Sequence, residues 1–496
     1  MEDDSSTNFE KHEPTETMYL KQITDPSLAQ NAYLIGCQRT GEAIVIDPER
    51  DVDRYLNLAK EEGLKIVAVA DTHIHADYLS GVRELVEHHG AKAYVTAEGG
   101  PDWQMEWAKG DPRAQEIRHG DTIAIGKVEL KVLLTPGHTP EHVSYLLTDY
   151  GGGASEPIAL LSGDFIFVGD VGRPDLLESA AGQVGAMEES AKVLYDSLRE
   201  TEGLPDFLQV LPAHGAGSAC GKALGAIPTS VMGYERKFNG AFHEALTASR
   251  EEFVESILTG QPEPPVYFAR MKRDNRAGQA LLPDGKLPAP ARYGEGDLVE
   301  FINGGQGVVL DLRFDKQDFI ANHLKGSLYA PLRGTEFLEV VGSFVEDEKT
   351  PILLLVNKAD EVEQAVRELV RIGYDSIAGW MPVAEALASA APTEAFATIV
   401  TSDLPATLEQ KPGFVLDVRK ASEFQEGHME GAKQIAHTRL AKHLDELPRE
   451  ETIYVHCRSG MRAAKSAALL AREGFDIVHV DGSSDALLGT SCSMCS

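Results

Sequence analysis

The sequence predicts a multidomain α/β chain. Three observations carry that reading. The chain has 496 residues, which at about 150 residues per domain leaves room for roughly three domains. Through the first half, short apolar runs alternate with amphipathic segments that end at glycine, the pattern of strands joined by crossover helices. In the last 200 residues one βα pattern occurs twice: GVVLDLR (307–313) returns as GFVLDVR (413–419), and HLKGS (323–327) returns as HMEGA (428–432). The offsets, 106 and 105, are too long for a solenoid repeat and point to tandem domains.

The elements follow in order. Residues 1–17 are polar and acidic, lack the basic-then-apolar pattern of a signal peptide, and are expected to be a disordered tail of a cytoplasmic protein. In the region 18–260, AIVIDP (43–48) and KIVAVADTH (65–73) read as buried strands, with RYLNLAKEEG between them as the crossover helix. KVELKVLLTPGH (127–138) alternates and then breaks at a Pro-Gly turn. AFHEALTASREEFVESILTG (241–260) reads as a closing helix. The stretch 261–295 carries six prolines and several glycines, and is expected to be a linker or an extended wrapping segment rather than a core element. The two copies then occupy 296–395 and 405–485, and 486–496 is expected to be a tail.

Composition excludes several classes of function. The formal charge of −32 lacks the basic footprint that nucleic acid or an anionic membrane requires, and no apolar run approaches the length of a transmembrane helix. The five cysteines, Cys37, Cys220, Cys457, Cys492 and Cys495, are too sparse for a disulfide framework. A homo-oligomer is expected.

Four segments of the first region place His or Asp just after a strand: THIHADYLSG (72–81), TPGHTPEH (135–142), LSGDFIFVGDVGRPD (161–175) and LPAHGAGSACG (211–221). Strand ends are where loops converge into a site, and four such ends carrying metal-ligating side chains point to a metal centre. In the last region, VHCRSGMRAAKSAALLA (455–471) puts Cys457 between a strand end and an amphipathic helix. Successive loop N–H groups and the helix start make an anion cradle there. With Arg458 and Arg462, that cradle favours a thiolate nucleophile.

The histidine set resembles the metallo-β-lactamase-like superfamily over residues 18–260. The family motif His-x-His-x-Asp-His stands here as His73-x-His75-x-Asp77-Tyr78, so a ligand of the second metal is replaced by tyrosine. The pattern is most similar to the single-metal persulfide dioxygenases. That resemblance implies one Fe(II) per chain, held by His73, His138 and Asp164, with positions left open for O₂ and a sulfur donor. It makes His75, Asp77 and His214 candidates for orienting those ligands through hydrogen bonds. Arg173, in GDVGRPD, is expected to clamp an anionic group of the thiol carrier, and Cys220 to contact the persulfide; His142 and His119 are left as structural or surface residues.

The segments LDVR (416–419), EGHMEGA (426–432) and the Cys457 loop together resemble a rhodanese domain. The six-residue loop from Cys457 to Arg462 favours sulfur over phosphoryl transfer. The first copy has no cysteine at the matching place, VNKADEV (356–362), and resembles an inactive rhodanese. The expected architecture is therefore a metallo-β-lactamase-like αββα sandwich followed by two rhodanese-like α/β domains. The expected function is oxidation of a low-molecular-weight persulfide (of glutathione, coenzyme A or a similar thiol) by O₂ to sulfite, coupled to sulfur transfer giving thiosulfate. A zinc-dependent hydrolase of the glyoxalase II or lactonase kind is the alternative. Cys492 and Cys495 form a C-x-x-C on the expected tail.

Overall fold

The structure, a computed structural model, describes residues 17–179, 185–222, 224–225 and 227–487. The stretch 1–16, and the C-x-x-C pair Cys492 and Cys495, lie outside the described residues.

The first unit is two six-stranded sheets packed face to face, with helices on both outer faces. Strands β1 (Met18–Asp25), β2 (Gln30–Cys37), β3 (Glu42–Ile46), β4 (Lys65–Ala70), β5 (Lys92–Thr96) and β6 (Ala114–Ile117) follow one another across the first sheet. The first three are antiparallel and the rest run parallel to β3. Strands β7 (Thr122–Ile125), β8 (Val128–Leu134), β9 (Val143–Asp149), β10 (Ala159–Gly163), β11 (Gln209–Pro212) and β12 (Ser230–Val231) form the second sheet, in which only β10 and β11 are parallel. The period of two in strand side chains sorts the core into layers. Tyr33, Ile35, Ile44 and Ile46 face the second sheet and meet Leu130, Val132, Tyr145 and Leu161. Their neighbours Leu34 and Val45 face outward onto Tyr55, Leu85 and Val86 of the helices Asp53–Glu61 and Val82–His89. Strands covered on both faces read as unbroken apolar runs, which is why AIVI and KIVAVA do not alternate.

The two later units share one topology. The second holds β13 (Ala291–Arg292), β14 (Val308–Asp311), β16 (Leu328–Tyr329), β17 (Ile352–Val356) and β18 (Ile377–Pro382), with a short ribbon of β15 (His323–Leu324) and β19 (Thr393–Glu394) at its side. The third holds β20 (Ala397–Val400), β21 (Phe414–Asp417), β22 (Lys433–Gln434), β23 (Ile453–His456) and β24 (Ile477–Asp481). The sheet orders are β13-β18-β17-β14-β16 and β20-β24-β23-β21-β22, parallel throughout, so each strand of one copy has its counterpart in the other. Even the turn after the second strand is repeated: Arg313 forks onto Asp311, as Arg419 forks onto Asp417.

The proline-rich stretch, expected to stay out of the core, carries the helix Phe268–Ala277, laid against the first unit, and buries Phe268, Met271 and Leu282 in the apolar core. Its prolines flank the helix and leave the helical interior intact. The three units share one continuous apolar cluster that includes Tyr78, Leu79 and Cys220 of the first, Leu338 and Val341 of the second, and Cys457 of the third. Charges lock the first interface. Arg50 forks onto Asp375 of the second unit (2.7 and 2.8 Å), and Arg371 of the second unit reaches Asp25 (2.9 Å), Glu49 (3.2 Å) and Asp51 (2.8 Å) of the first. Among the described residues, no helix is long and apolar enough to cross a membrane.

Candidate metal centre and cysteine loop

His73 follows β4, His138 follows β8, Asp164 follows β10 and His214 follows β11, so all four lie at one edge of the two sheets. The ligand atoms of His73, His138 and Asp164 lie within 4.8 Å of one another, and all three residues are buried. Nε2 of His138 is 3.5 Å and Nε2 of His73 3.9 Å from Asp164 Oδ2, an oxygen with no hydrogen-bond partner. An orphaned buried carboxylate oxygen is costly unless something neutralises it. Two imidazole nitrogens converging on it fit a divalent cation.

The surroundings set each tautomer. Nδ1–H of His138 donates to the Arg173 carbonyl (3.0 Å), which leaves the Nε2 lone pair facing inward. Thr72 donates its hydroxyl to Asp47, so Nδ1–H of His73 donates to Thr72 Oγ1 (3.0 Å) with the same result. Burial pushes the pKa of both imidazoles down, that of His73 well down with help from neighbouring imidazoles, and keeps them neutral as ligands must be. Burial acts on Asp164 in the opposite sense, yet the His214 imidazole holds its carboxyl well below the usual range and so anionic. His214 itself donates from Nδ1 to Asp164 Oδ1 (2.7 Å) and from Nε2 to Asp77 Oδ2 (2.8 Å). Despite its burial, these two carboxylates raise its pKa well above the ordinary value. With both ring nitrogens bonded to carboxylates, His214 braces Asp164.

His75 is drawn away from the cluster. Its Nε2 lies 3.0 Å from Asp47 Oδ1 and 3.0 Å from the hydroxyl of Tyr78, whose ring stacks on the imidazole. Although burial opposes it, Asp47 raises His75 to about 9. Tyr78, standing in the place of the motif's last histidine, thus anchors His75 to the floor of the site.

Three contributions were not legible in the motifs. His142 is buried, accepts the Asp164 N–H at Nε2 (3.0 Å) and bonds Thr135 through Nδ1 (2.9 Å), so it is a structural support for the Asp164 backbone. Gly172 passes so close that a Cβ there would lie 1.7 Å from the Asp164 carbonyl oxygen. Asn275, on the helix Phe268–Ala277, donates to the carbonyls of His75 (2.8 Å) and Tyr78 (2.7 Å) and accepts from Ser80 N–H (2.8 Å), bracing the loop that carries His73.

Arg173 is a correction. Expected as a substrate clamp, it is 1% exposed and its guanidinium is already committed: two bonds to Asp175 (3.0 and 2.7 Å), one to the Ala219 carbonyl and one to the Pro262 carbonyl. It ties the loop after Asp164 to the Cys220 loop. Cys220 is buried, its sulfur within 4.8 Å of the ligand atoms of Asp77 and His214, and burial pushes its thiol well up, so it rests as a thiol.

At the third sheet, Cys457 directly follows β23 and is 1% exposed. The Ala463 N–H, in the first turn of the helix Met461–Arg472, points at its sulfur (3.4 Å). Arg458 is exposed, and Arg462 forks onto Glu423 (2.5 and 2.8 Å). In the second unit Asn357 takes the place after β17. There Glu361 accepts from the N–H groups of Asn357 (2.8 Å) and Lys358 (3.3 Å), so the loop amides are filled by the unit's own carboxylate.

Between the units lies a cavity of about 370 Å³. Asp77 and Ala219 line it from the first unit, Tyr267 from the wrapping segment, Glu339 from the second unit, and Lys420 and His437 from the third.

Comparison with known proteins agrees with this geometry. The profile of the "Metallo-beta-lactamase superfamily" matches residues 26–214, and that of the "Rhodanese-like domain" matches residues 401–489. A solved structure titled as a metallo-beta-lactamase from Staphylococcus aureus is 40% identical, covers 74% of this chain and 99% of its own, and superposes with a TM-score of 0.63. Persulfide dioxygenase ETHE1 of Bos taurus is 29% identical over 47% of this chain and 78% of its own length. Hydroxyacylglutathione hydrolase of Rhodospirillum rubrum is 32% identical over 37% of this chain and 60% of its own length. The chain belongs to the metallo-beta-lactamase superfamily and carries a rhodanese-like domain behind its two-sheet unit.

Proposed function

We propose that the chain is a persulfide dioxygenase joined to a sulfurtransferase. The observation that carries the reading is the donor set: two neutral imidazoles, His73 and His138, and one carboxylate, Asp164, converge on one point while His75 is held away by Asp47 and Tyr78. Three protein ligands on one face suit Fe(II) with open positions. Iron bound there would supply the redox chemistry by which O₂ meets the sulfur. The net reaction is R–S–SH + O₂ + H₂O → R–SH + SO₃²⁻ + 2H⁺.

The chain's own residues have definite tasks. His214 keeps Asp164 ionised and oriented. Asp77, whose Oδ1 is buried without a partner and which lines the junction cavity, accepts a hydrogen bond from the carrier thiol. Cys220, held as a thiol beside it, contacts the persulfide. In the third unit the Cys457 thiolate takes sulfur, Cys457–S⁻ + R–S–SH → Cys457–S–S⁻ + R–SH, and passes it on, Cys457–S–S⁻ + SO₃²⁻ → Cys457–S⁻ + S₂O₃²⁻. Arg458, exposed at the loop, attracts the anions, and Arg462 with Glu423 fixes the loop's shape. The second unit, with Glu361 in its loop, is an inactive rhodanese-like copy. The junction cavity supports local handover: it is lined by residues of both active units, so sulfite made at one meets Cys457 at a raised effective concentration.

The test is oxygen uptake by the iron-loaded chain with glutathione persulfide, with sulfite and thiosulfate quantified together. His138→Ala should abolish uptake. Cys457→Ser should keep uptake and sulfite but stop thiosulfate. Absence of uptake with bound iron, together with thioester hydrolysis by the zinc-loaded chain, would overturn the proposal in favour of a hydrolase.

A further inference from the structure

We propose that the cysteine-free second unit completes the Cys457 loop of the third, and that Lys316 is the positioning residue through which it does so. The proposal rests on the reading of Cys457 as a sulfur carrier and goes beyond it, by giving the inactive copy a task in sulfur transfer.

Lys316 opens the helix Lys316–Ala321 of the second unit. Its ammonium group donates to the carbonyl of Ser459, two residues past Cys457 (2.6 Å), and to Asp481 Oδ1 at the end of β24 (2.5 Å). Its neighbour Gln317 donates to the other oxygen, Asp481 Oδ2 (2.7 Å). The next carbonyl of the loop, that of Gly460, accepts from His479 Nε2 (2.9 Å). Two consecutive carbonyls of a six-residue loop are thus held from outside. In a trans peptide the N–H points opposite to the C=O. Fixing the carbonyls of Ser459 and Gly460 therefore turns the N–H groups of Gly460 and Met461 away from Lys316 and His479. Farther along the same turn, the Ala463 N–H already meets the sulfur. Gly460 has a φ of +81°, and a Cβ there would strike Asp481 Oδ1 and Lys316 Nζ, so loop and clamp are built to touch. At the far end of the same helix, Arg472 donates to the second unit's carbonyls of Gly326 (2.9 Å) and Gly307 (3.1 Å), so both ends of the helix behind Cys457 are fastened to that unit.

The chemistry that profits is the charged persulfide. Cys457–S–S⁻ places a negative charge beyond the sulfur, where oriented amides stabilise it without reorganising. The inactive copy shows the alternative: its loop amides bond to the carboxylate of Glu361 and need no clamp from a neighbour.

The test uses the full-length chain and a reaction independent of oxygen, S₂O₃²⁻ + CN⁻ → SO₃²⁻ + SCN⁻. Lys316→Met should lower kcat for thiocyanate formation about 10- to 100-fold, the scale of misplacing oriented donors, with KM for thiosulfate changed less than about threefold. Lys316→Arg, which can still donate to both oxygens, should restore most of kcat. Oxygen uptake at the metal centre should be unchanged in both. Because a collapsed third unit would also lose activity, alkylation of Cys457 by iodoacetamide and the thermal unfolding profile are read alongside; the proposal requires slower transfer with unfolding unchanged. It is overturned if Lys316→Met turns over within twofold of the parent chain, or if its loss is matched by unfolding and the arginine variant, folded, does not recover. If the parent chain makes no thiocyanate that depends on Cys457, the carrier reading fails and takes this one with it.

Discussion

Asn275 offers the sharpest check on how the metal loop is held. It is 3% exposed, sits on a helix nearly 200 residues along the chain from the loop, and satisfies three main-chain groups there: the carbonyls of His75 and Tyr78 and the N–H of Ser80. In Asn275→Ala those groups lose their partner inside a buried site. Each orphaned group costs about 1–3 kcal/mol, and water admitted by the shortened side chain recovers part, so about 3–5 kcal/mol is expected locally. The chain has three units, so a single global unfolding energy is a poor reporter. Hydrogen exchange of the Ser80 amide is a direct one. It should speed up roughly 100-fold or more, since every 1.4 kcal/mol of opening energy is a factor of about ten. Metal retained after dialysis should fall in parallel, because the same loop carries His73. A folded Asn275→Ala chain whose Ser80 amide exchanges within threefold of the parent rate, with metal retained, would refute the claim that the wrapping helix holds the loop that carries His73.

Gly172→Ala should push the Asp164 backbone, against which its methyl would press, at an overpacking cost of about 1–3 kcal/mol, with metal content after dialysis as the readout. Arg371→Met removes the cation shared by Asp25, Glu49 and Asp51 at the first interface, leaving Glu49 and Asp51 only their pairs with Arg54 and Arg367, and should cost about 3–5 kcal/mol, read as a lower unfolding temperature. Its pH dependence has a definite sign: Arg371 works against the effect of burial on Glu49 and Asp51, so without it the pKa of both rises, the folded variant prefers them protonated, and the deficit should shrink as pH falls from 8 toward 5. The Glu423 carboxyl, held near 2 chiefly by its hydrogen bonds from Arg462, should titrate close to its ordinary 4.5 in Arg462→Ala, as followed by carboxyl carbon NMR. In the parent chain the pair's contribution is present above about 4.5 and is lost as pH falls toward 2.

What the sequence disclosed and what it concealed divide along a physical line. His73, His138, Asp164 and Cys457 were legible because each stands at the end of a strand, where an apolar run breaks into a polar loop. The tandem copies were legible because their strands are covered on both faces and repeat the same apolar words. His142 was not, since its partner is a main-chain N–H and its spacing from His138 carries no code for that contact. The helix Phe268–Ala277 was hidden by the prolines around it and by its polar sequence, FARMKRDNRA. It is held by hydrogen bonds to a loop as well as by an apolar stripe, and periodicity detects only the stripe. Arg173 was legible as a charge near the site but not as one already paired, because its partners include the carbonyls of Ala219 and Pro262, 46 and 89 residues away.

The backbone N–H of Leu79, in the metal loop, bonds to the carbonyl of Arg371, in the second unit. Together with Asn275 and Arg50, that bond makes the metal loop a possession of the whole front half of the molecule. A chain cut after the last strand of the sandwich would retain the residues that name the superfamily and discard the supports that keep them in place. Recombination that moved the sandwich alone into a new protein would deliver a site with slack in it. The portable piece is the longer one, sandwich plus wrapping helix plus second unit, and the rhodanese-like domain is the part that could be exchanged behind it.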